Sequence, residues 1–114
     1  MTDRTRKFKI PMNTPDGSRE VAEVILARRV SCCVGGYAYT FAVHANPSAL
    51  HEYSVSEWFT GNRVTRFVSD YKTDLRDQAK SAVLLLVSEL GENRVRHDLD
   101  RSIDNDAILN PKLA

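Results

Sequence analysis

Three short runs of β-favouring apolar and polar residues occupy the middle of the chain. The runs are FAVH, YSVSEWF and RVTRFV, and they are separated by Asn46-Pro47 and by Thr60-Gly61-Asn62. Runs of β-favouring residues with turn residues between them are typical of an antiparallel meander. The pattern therefore predicts strands at residues 37–44, 53–59 and 63–68.

Two further strands are predicted before the meander. Apolar residues alternate at 7–12, where Pro11 indicates an edge strand because proline has no N–H to donate. The sequence Pro-Asp-Gly-Ser at 15–18 is a turn signal. Residues 19–30 fit either a helix or a strand, and the preceding turn and the β-branched residues favour a strand.

Helical periodicity replaces alternation after residue 72. We predict an amphipathic helix at 73–90, which Thr73 caps, Asp74 opens and Gly91 ends. Its apolar stripe, which should cover one face of the sheet, consists of Leu75, Ala79, Ala82, Val83, Leu86 and Leu90. A second short helix is predicted at 93–103, where an apolar residue recurs every four positions.

Two leucines of the first helix, Leu84 and Leu85, point away from this stripe and need another apolar surface. The second predicted helix is one candidate, and a second copy of the chain, giving a homodimer, is the other. Packing within the chain is the preferred interpretation. The last residues, 104–114, are expected to form a loosely packed tail that docks through Ile108 and Leu109.

These elements predict a single α+β domain covering residues 1–114, with an antiparallel sheet of about four or five strands and the two helices. The chain has 114 residues, of which 42% are apolar and 27% charged, and this suits one compact core. Its formal net charge of +1 gives no global field that would attract nucleic acid or an anionic membrane. Any nucleic-acid binding must therefore come from a local basic patch.

The sequence predicts a soluble, cytoplasmic protein without a membrane partner. No apolar run near the N-terminus has the length of a secretory signal, and the run at 82–87 is far shorter than the roughly 20 residues that span a bilayer. Cys32 and Cys33 are adjacent and are expected to be reduced, because neighbouring residues rarely reach disulfide geometry.

Motifs for catalysis, metal binding or cofactor binding are not found in the sequence. His44, His51, His97 and the two cysteines are of types that bind zinc, but their spacing matches no standard zinc site. The chain has no Gly-x-Ser-x-Gly elbow and no phosphate-binding loop. We therefore expect a protein that is not an enzyme and that needs no cofactor or metal.

The segment Gly36-Tyr37-Ala38-Tyr39 resembles the aromatic signature of RNA-recognition-motif domains, in which exposed aromatic residues of a strand stack on unpaired bases. Tyr37 and Tyr39 are expected on the same face of their strand. The match is partial, because Gly35 stands where that family has Lys or Arg. The resemblance implies binding of RNA or single-stranded DNA, assisted by the basic residues Arg4, Arg6, Lys7 and Lys9.

The central block FAVH…YSVSEWFTGNRVTRFV, with the amphipathic helix that follows it, resembles small uncharacterised proteins of bacteriophages and mobile elements. The resemblance covers residues 37–90. It implies a protein that binds and inhibits or redirects a host macromolecule, as anti-CRISPR and antirestriction proteins do. It transfers no functional residue, because such proteins share no site motif.

The expected function is therefore that of a small non-enzymatic binding protein, an inhibitor of a host defence complex that acts by protein–protein contact. Its partner would be a host protein or a nucleoprotein complex. The predicted contact patch is Trp58, Phe59, Arg63 and Arg66, because aromatic residues and arginine concentrate the binding energy of interfaces. The alternative is nucleic-acid binding through Tyr37, Tyr39 and a basic patch.

Overall fold

The computed structural model describes residues 6–46 and 49–111, so that Arg4 of the basic arm and Pro47 of the first turn lie outside the described residues. Five strands precede two helices in the chain. They are β1 (Lys7–Asn13), β2 (Arg19–Val34), β3 (Tyr37–Ala45), β4 (Glu52–Glu57), β5 (Arg63–Val68), α1 (Leu75–Leu90) and α2 (Glu92–Asn105). The strands form one antiparallel sheet in the order β1-β2-β3-β4-β5, which confirms the predicted α+β fold.

The ambiguous segment at 19–30 is a strand, as predicted, and it continues to Val34. A bulge at Ala27 divides β2 between two partners. Its first half pairs with β1 and its second half with β3. Because bulges bend a strand and increase its twist, the hairpin of β1 and β2 turns over one face of the sheet. There Phe8 of β1 contacts the ring of Trp58 at a centroid distance of 5.3 Å.

The main hydrophobic core lies between the opposite face of the sheet and both helices. Its buried residues are Val30, Cys32, Val34, Tyr39, Phe41, Val43, Val55, Ala79, Val83, Val95 and Leu99. Val95 and Leu99 of α2 belong to this core. A smaller cluster of Phe8, Ala42 and Trp58 fills the space under the hairpin.

Helix α1 begins two residues later than predicted, and its N-cap is Asp74 instead of Thr73. The Asp74 carboxylate accepts a hydrogen bond from the Arg76 N–H at 2.8 Å. Thr73 instead donates its own N–H to Asp70 at 2.9 Å, so it belongs to the preceding turn. Gly91 ends the helix as predicted, with a φ of 89° that glycine adopts without steric cost.

Strand β4 ends at Glu57, so the prediction that it reached Phe59 is wrong. The Glu57 side chain is buried, and its carboxylate accepts hydrogen bonds from the backbone N–H groups of Phe59 and Thr60 at 2.9 and 2.8 Å. These bonds stabilise a turn after Glu57, in which successive side chains no longer point to alternate faces of the sheet. Trp58 and Phe59 consequently both pack against the small cluster under the hairpin.

The preferred interpretation of Leu84 and Leu85 is wrong, because no part of the described chain covers them. Leu84 is 54% exposed and Leu85 is 62% exposed. The tail after α2 docks at Leu109, as predicted, but not at Ile108. The N–H groups of Leu109 and Asn110 both donate to the Phe59 carbonyl, whereas Ile108 is exposed.

Candidate functional site

Of the two aromatic residues predicted for the contact patch, neither presents an open ring to a partner. Trp58 is only 7% exposed and packs on Phe8, and the Arg29 guanidinium lies 5.9 Å from the centre of its indole ring. Phe59 is half-buried in the same cluster. Both rings stabilise the hairpin over the sheet, so the aromatic half of the predicted patch is structural.

The two predicted arginines are exposed on β5, where a bulge brings them to one side. Arg63 lies opposite Ser56 and Arg66 opposite Ser54, with one extra residue, Val64, in β5. Residues three apart in a regular strand face opposite sides, but the extra residue returns Arg66 to the side of Arg63. Val68 is on this side too and is 69% exposed. We call Arg63, Arg66 and Val68 the arginine patch.

The two guanidinium groups of the arginine patch differ in whether they form an ion pair. The Arg66 guanidinium lies 3.4 Å from the carboxylate of Glu52 on the neighbouring strand, with its own side chain 62% exposed. An ion pair at this exposure contributes about 0–1 kcal/mol. Within 6–46 and 49–111, Arg63 has no ion pair. The patch therefore offers one uncompensated guanidinium and one that is weakly held.

A groove of about 550 Å³ lies between β5 and α1 at this edge of the sheet. Arg66 and Val68 of the arginine patch line it, together with Phe67 of β5 and Leu85 and Leu86 of α1. We call this the edge groove. Leu85 lines it and Leu84 does not.

Tyr37 and Tyr39 do not form a stacking platform. Tyr39 is buried, and its hydroxyl donates to the Asp100 carboxylate of α2 at 2.8 Å. Burial, followed by the bond to Asp100, raises the pKa of this hydroxyl. The ring of Tyr37 is 58% exposed, but the Arg96 guanidinium lies 3.8 Å from its centre. Helix α2 thus occupies the surface that bases would need.

A histidine–serine pair is present in the sheet but is closed to substrates. His44 Nε2 lies 2.9 Å from the Ser56 hydroxyl, and the two residues are 5% and 1% exposed. Burial lowers the pKa of His44. Among residues 6–46 and 49–111, His44 Nδ1 has no hydrogen-bond partner, so no described group orients the ring as the third member of a catalytic triad would.

The histidines and cysteines are dispersed. In the described part of the chain, no three His, Cys, Asp or Glu side chains are grouped so that they could hold a metal ion. Burial raises the pKa of the Cys32 thiol, which disfavours the reactive thiolate. Neither α1 nor α2 has the length and apolar character needed to cross a membrane.

One feature that the sequence did not indicate is the pair His51 and Tyr71. Both residues have positive φ angles, 65° and 60°, and their side chains are hydrogen-bonded. Such backbone conformations cost about 1–3 kcal/mol, and among residues other than glycine they are commonest for asparagine, aspartate and histidine. No local signal revealed the pair, because its two residues are 20 positions apart in the sequence. It joins the connection before β4 to the connection after β5.

No known protein family, curated protein or solved structure matches this chain. The resemblance to phage and mobile-element proteins therefore stays a prediction.

Proposed function

We propose that this protein is a non-enzymatic binding protein that contacts an acidic region of a host protein or nucleoprotein complex. In a phage or mobile-element context this contact would inhibit a host defence complex, as anti-CRISPR proteins do. The observation that supports the proposal is the arginine patch. Arg63 and Arg66 lie on one side of an exposed strand because of a bulge, and bulges are common where a strand must re-aim a side chain.

The patch has the composition of an interface centre. Arginine can donate two parallel hydrogen bonds to one carboxylate, and it is enriched among residues that dominate binding energy. Val68 adds exposed apolar area beside the two guanidinium groups. An acidic protein surface with an apolar side chain beside its carboxylates satisfies both features.

Nucleic acid is the alternative partner, but the positions of the tyrosines count against it. Stacking contributes about 1–3 kcal/mol per base, and here Tyr39 is buried while Arg96 covers Tyr37. Lys7 and Lys9 remain exposed on β1, opposite Ile25 and Glu23 respectively. Without stacking rings, they supply only phosphate contacts.

A capture experiment from host lysate tests the proposal. The double substitution Arg63→Glu and Arg66→Glu should reduce capture of the partner at least about tenfold, equivalent to about 1.4 kcal/mol. Arg101→Glu in α2 makes the same kind of charge change at another exposed arginine and should leave capture intact.

Nuclease treatment separates the two kinds of partner, whereas salt does not, because contacts between arginines and carboxylates are also screened by salt. Capture that survives nuclease and is lost only with the patch variant supports a protein partner. Capture that disappears with nuclease would indicate nucleic acid. Equal capture by the patch variant and the unmodified protein overturns the proposed site.

A further inference from the structure

The two edges of the sheet differ in how they are protected. At the β1 edge, the side chain of Asn110 makes two hydrogen bonds to the backbone of Lys9. It accepts from the Lys9 N–H at 3.1 Å and donates to the Lys9 carbonyl at 2.9 Å. Strand β5 is the last strand at the other edge, and no described strand pairs with its outer side. Proteins usually cover such edges, because free backbone groups attract another strand.

The free backbone groups of β5 can be identified from a single hydrogen bond. The N–H of Ser69 donates to the carbonyl of His51 at 2.9 Å, directed towards the β4 side. Backbone groups alternate in direction along an antiparallel strand. The N–H and C=O groups of Arg66 and Val68 are therefore directed to the open edge.

One antiparallel register with a second copy pairs the free backbone groups, avoids a repulsion between arginines and brings the two Phe67 rings together. If Arg66 faces Val68 of the second copy, each residue donates its backbone N–H to the carbonyl of the other. The two-fold axis generates the same pair of hydrogen bonds between Val68 and Arg66 of the second copy. A shift of the pairing by two residues along the strand would set Arg66 directly against Arg66 of the second copy, which is repulsive. In the favoured register, Phe67 faces Phe67 across the axis.

The side chains at this position suit self-association. Phe67 stacks on Tyr53 at a centroid distance of 5.7 Å with an interplanar angle of 16°, and this row of rings stops at the sheet edge. A second copy continues the row through its own Phe67 and Tyr53. The exposed Leu85, which lines the edge groove beside β5, is then covered as well.

We propose that two copies of this chain pair antiparallel through β5, joining their sheets into one and placing their arginine patches side by side. The two Arg63 and two Arg66 residues then form one continuous basic surface along the paired β5 strands. The consequence for partner binding rests on the proposed function, whereas the pairing itself does not.

The first experiment compares two neighbouring leucines that are similarly exposed. The molecular mass is measured by light scattering over a range of concentrations for the unmodified protein, Leu85→Glu and Leu84→Glu. The unmodified protein and Leu84→Glu should dimerise alike. Leu85→Glu should raise the dissociation constant at least about tenfold, equivalent to about 1.4 kcal/mol. A monomer at every concentration, or a dimer that only Leu84→Glu disrupts, overturns the proposal.

Cross-linking tests the register in a Cys33→Ser background, which removes the exposed native thiol. Chains carrying Arg66→Cys are mixed with chains carrying Val68→Cys and oxidised. Paired residues of this type have Cα atoms about 5.5 Å apart, within the disulfide range. The mixture should form a disulfide-linked dimer, and each variant alone should not. A dimer of Arg66→Cys alone contradicts the register.

The two proposals fail separately. If Arg63→Glu abolishes partner capture while the mass remains that of a dimer, both proposals hold. Loss of dimerisation in Leu85→Glu with unchanged capture supports the pairing but removes its role in binding.

Discussion

Glycine at position 61 is required by a backbone contact as much as by its own conformation. Its φ is +73°, and a Cβ atom there would lie 2.3 Å from the carbonyl oxygen of Lys9. Gly17 has a similar φ of +84°, but nothing lies within 4 Å of its Cβ position. Substitution of Gly17 therefore tests the conformational cost alone, whereas substitution of Gly61 adds the steric overlap with Lys9.

We expect Gly17→Ala to lower the free energy of unfolding by about 1–2 kcal/mol, the cost of left-handed backbone. Gly61→Ala should lower it by a further 1–3 kcal/mol or so, the typical cost of overpacking. Urea denaturation of both variants measures the difference. Equal destabilisation would mean that β1 does not cross Gly61 as closely as described.

His44 should make the stability of the protein depend on pH. Burial lowers its pKa below the ordinary value of 6.5, so between these two pKa values the unfolded chain is protonated while the folded chain is not. The contribution of neutral His44 to the free energy of unfolding is complete above pH 6.5 and is lost as the pH falls through the lowered pKa. Each unit of pKa difference corresponds to about 1.4 kcal/mol.

Urea denaturation at neutral and mildly acidic pH measures this effect. His44→Gln should weaken the pH dependence, whereas His97→Gln, at an exposed position of α2, should preserve it. A pH dependence that persists unchanged in His44→Gln assigns it to another group.

At the scale of elements, the segment after α2 stabilises the edge of β1. Asn110→Ala removes both side-chain bonds to Lys9, and each such bond contributes about 0.5–1.5 kcal/mol net. We expect faster hydrogen exchange at the Lys9 amide. Asn105→Ala, which removes one exposed bond to the Arg101 carbonyl, should leave that amide unchanged. Unaltered exchange in Asn110→Ala would show that the bonds to Lys9 do not hold the edge.

The sequence allowed the elements to be predicted where local chemistry determines them. Alternation and turn residues predicted the five strands, and helical periodicity predicted α1 and α2. The end of β4 was missed because a buried carboxylate, Glu57, binds two N–H groups beyond it, which residue patterns do not reveal. The N-cap was misassigned because Thr73 and Asp74 are both good caps, and tertiary contacts decide between them.

At the scale of the whole molecule, the candidate site was only half predictable. Arg63 and Arg66 were predicted to belong to one patch, and a bulge that the sequence does not show brings them to one side of β5. Trp58 and Tyr39 were expected at surfaces, but distant segments cover them: β1 covers Trp58 and α2 covers Tyr39. Exposure depends on such long-range packing, which local patterns do not contain.

The hydrogen bonds between Lys9 and Asn110 can form only after nearly the whole chain has been synthesised. The two residues are 101 positions apart, and ribosomes add about 5–20 residues per second. Asn110 is therefore made about 5–20 s after Lys9. Until then β1 can pair with β2 but its outer edge stays bare, so a newly made chain passes through a period in which both edges of its sheet can attract other strands.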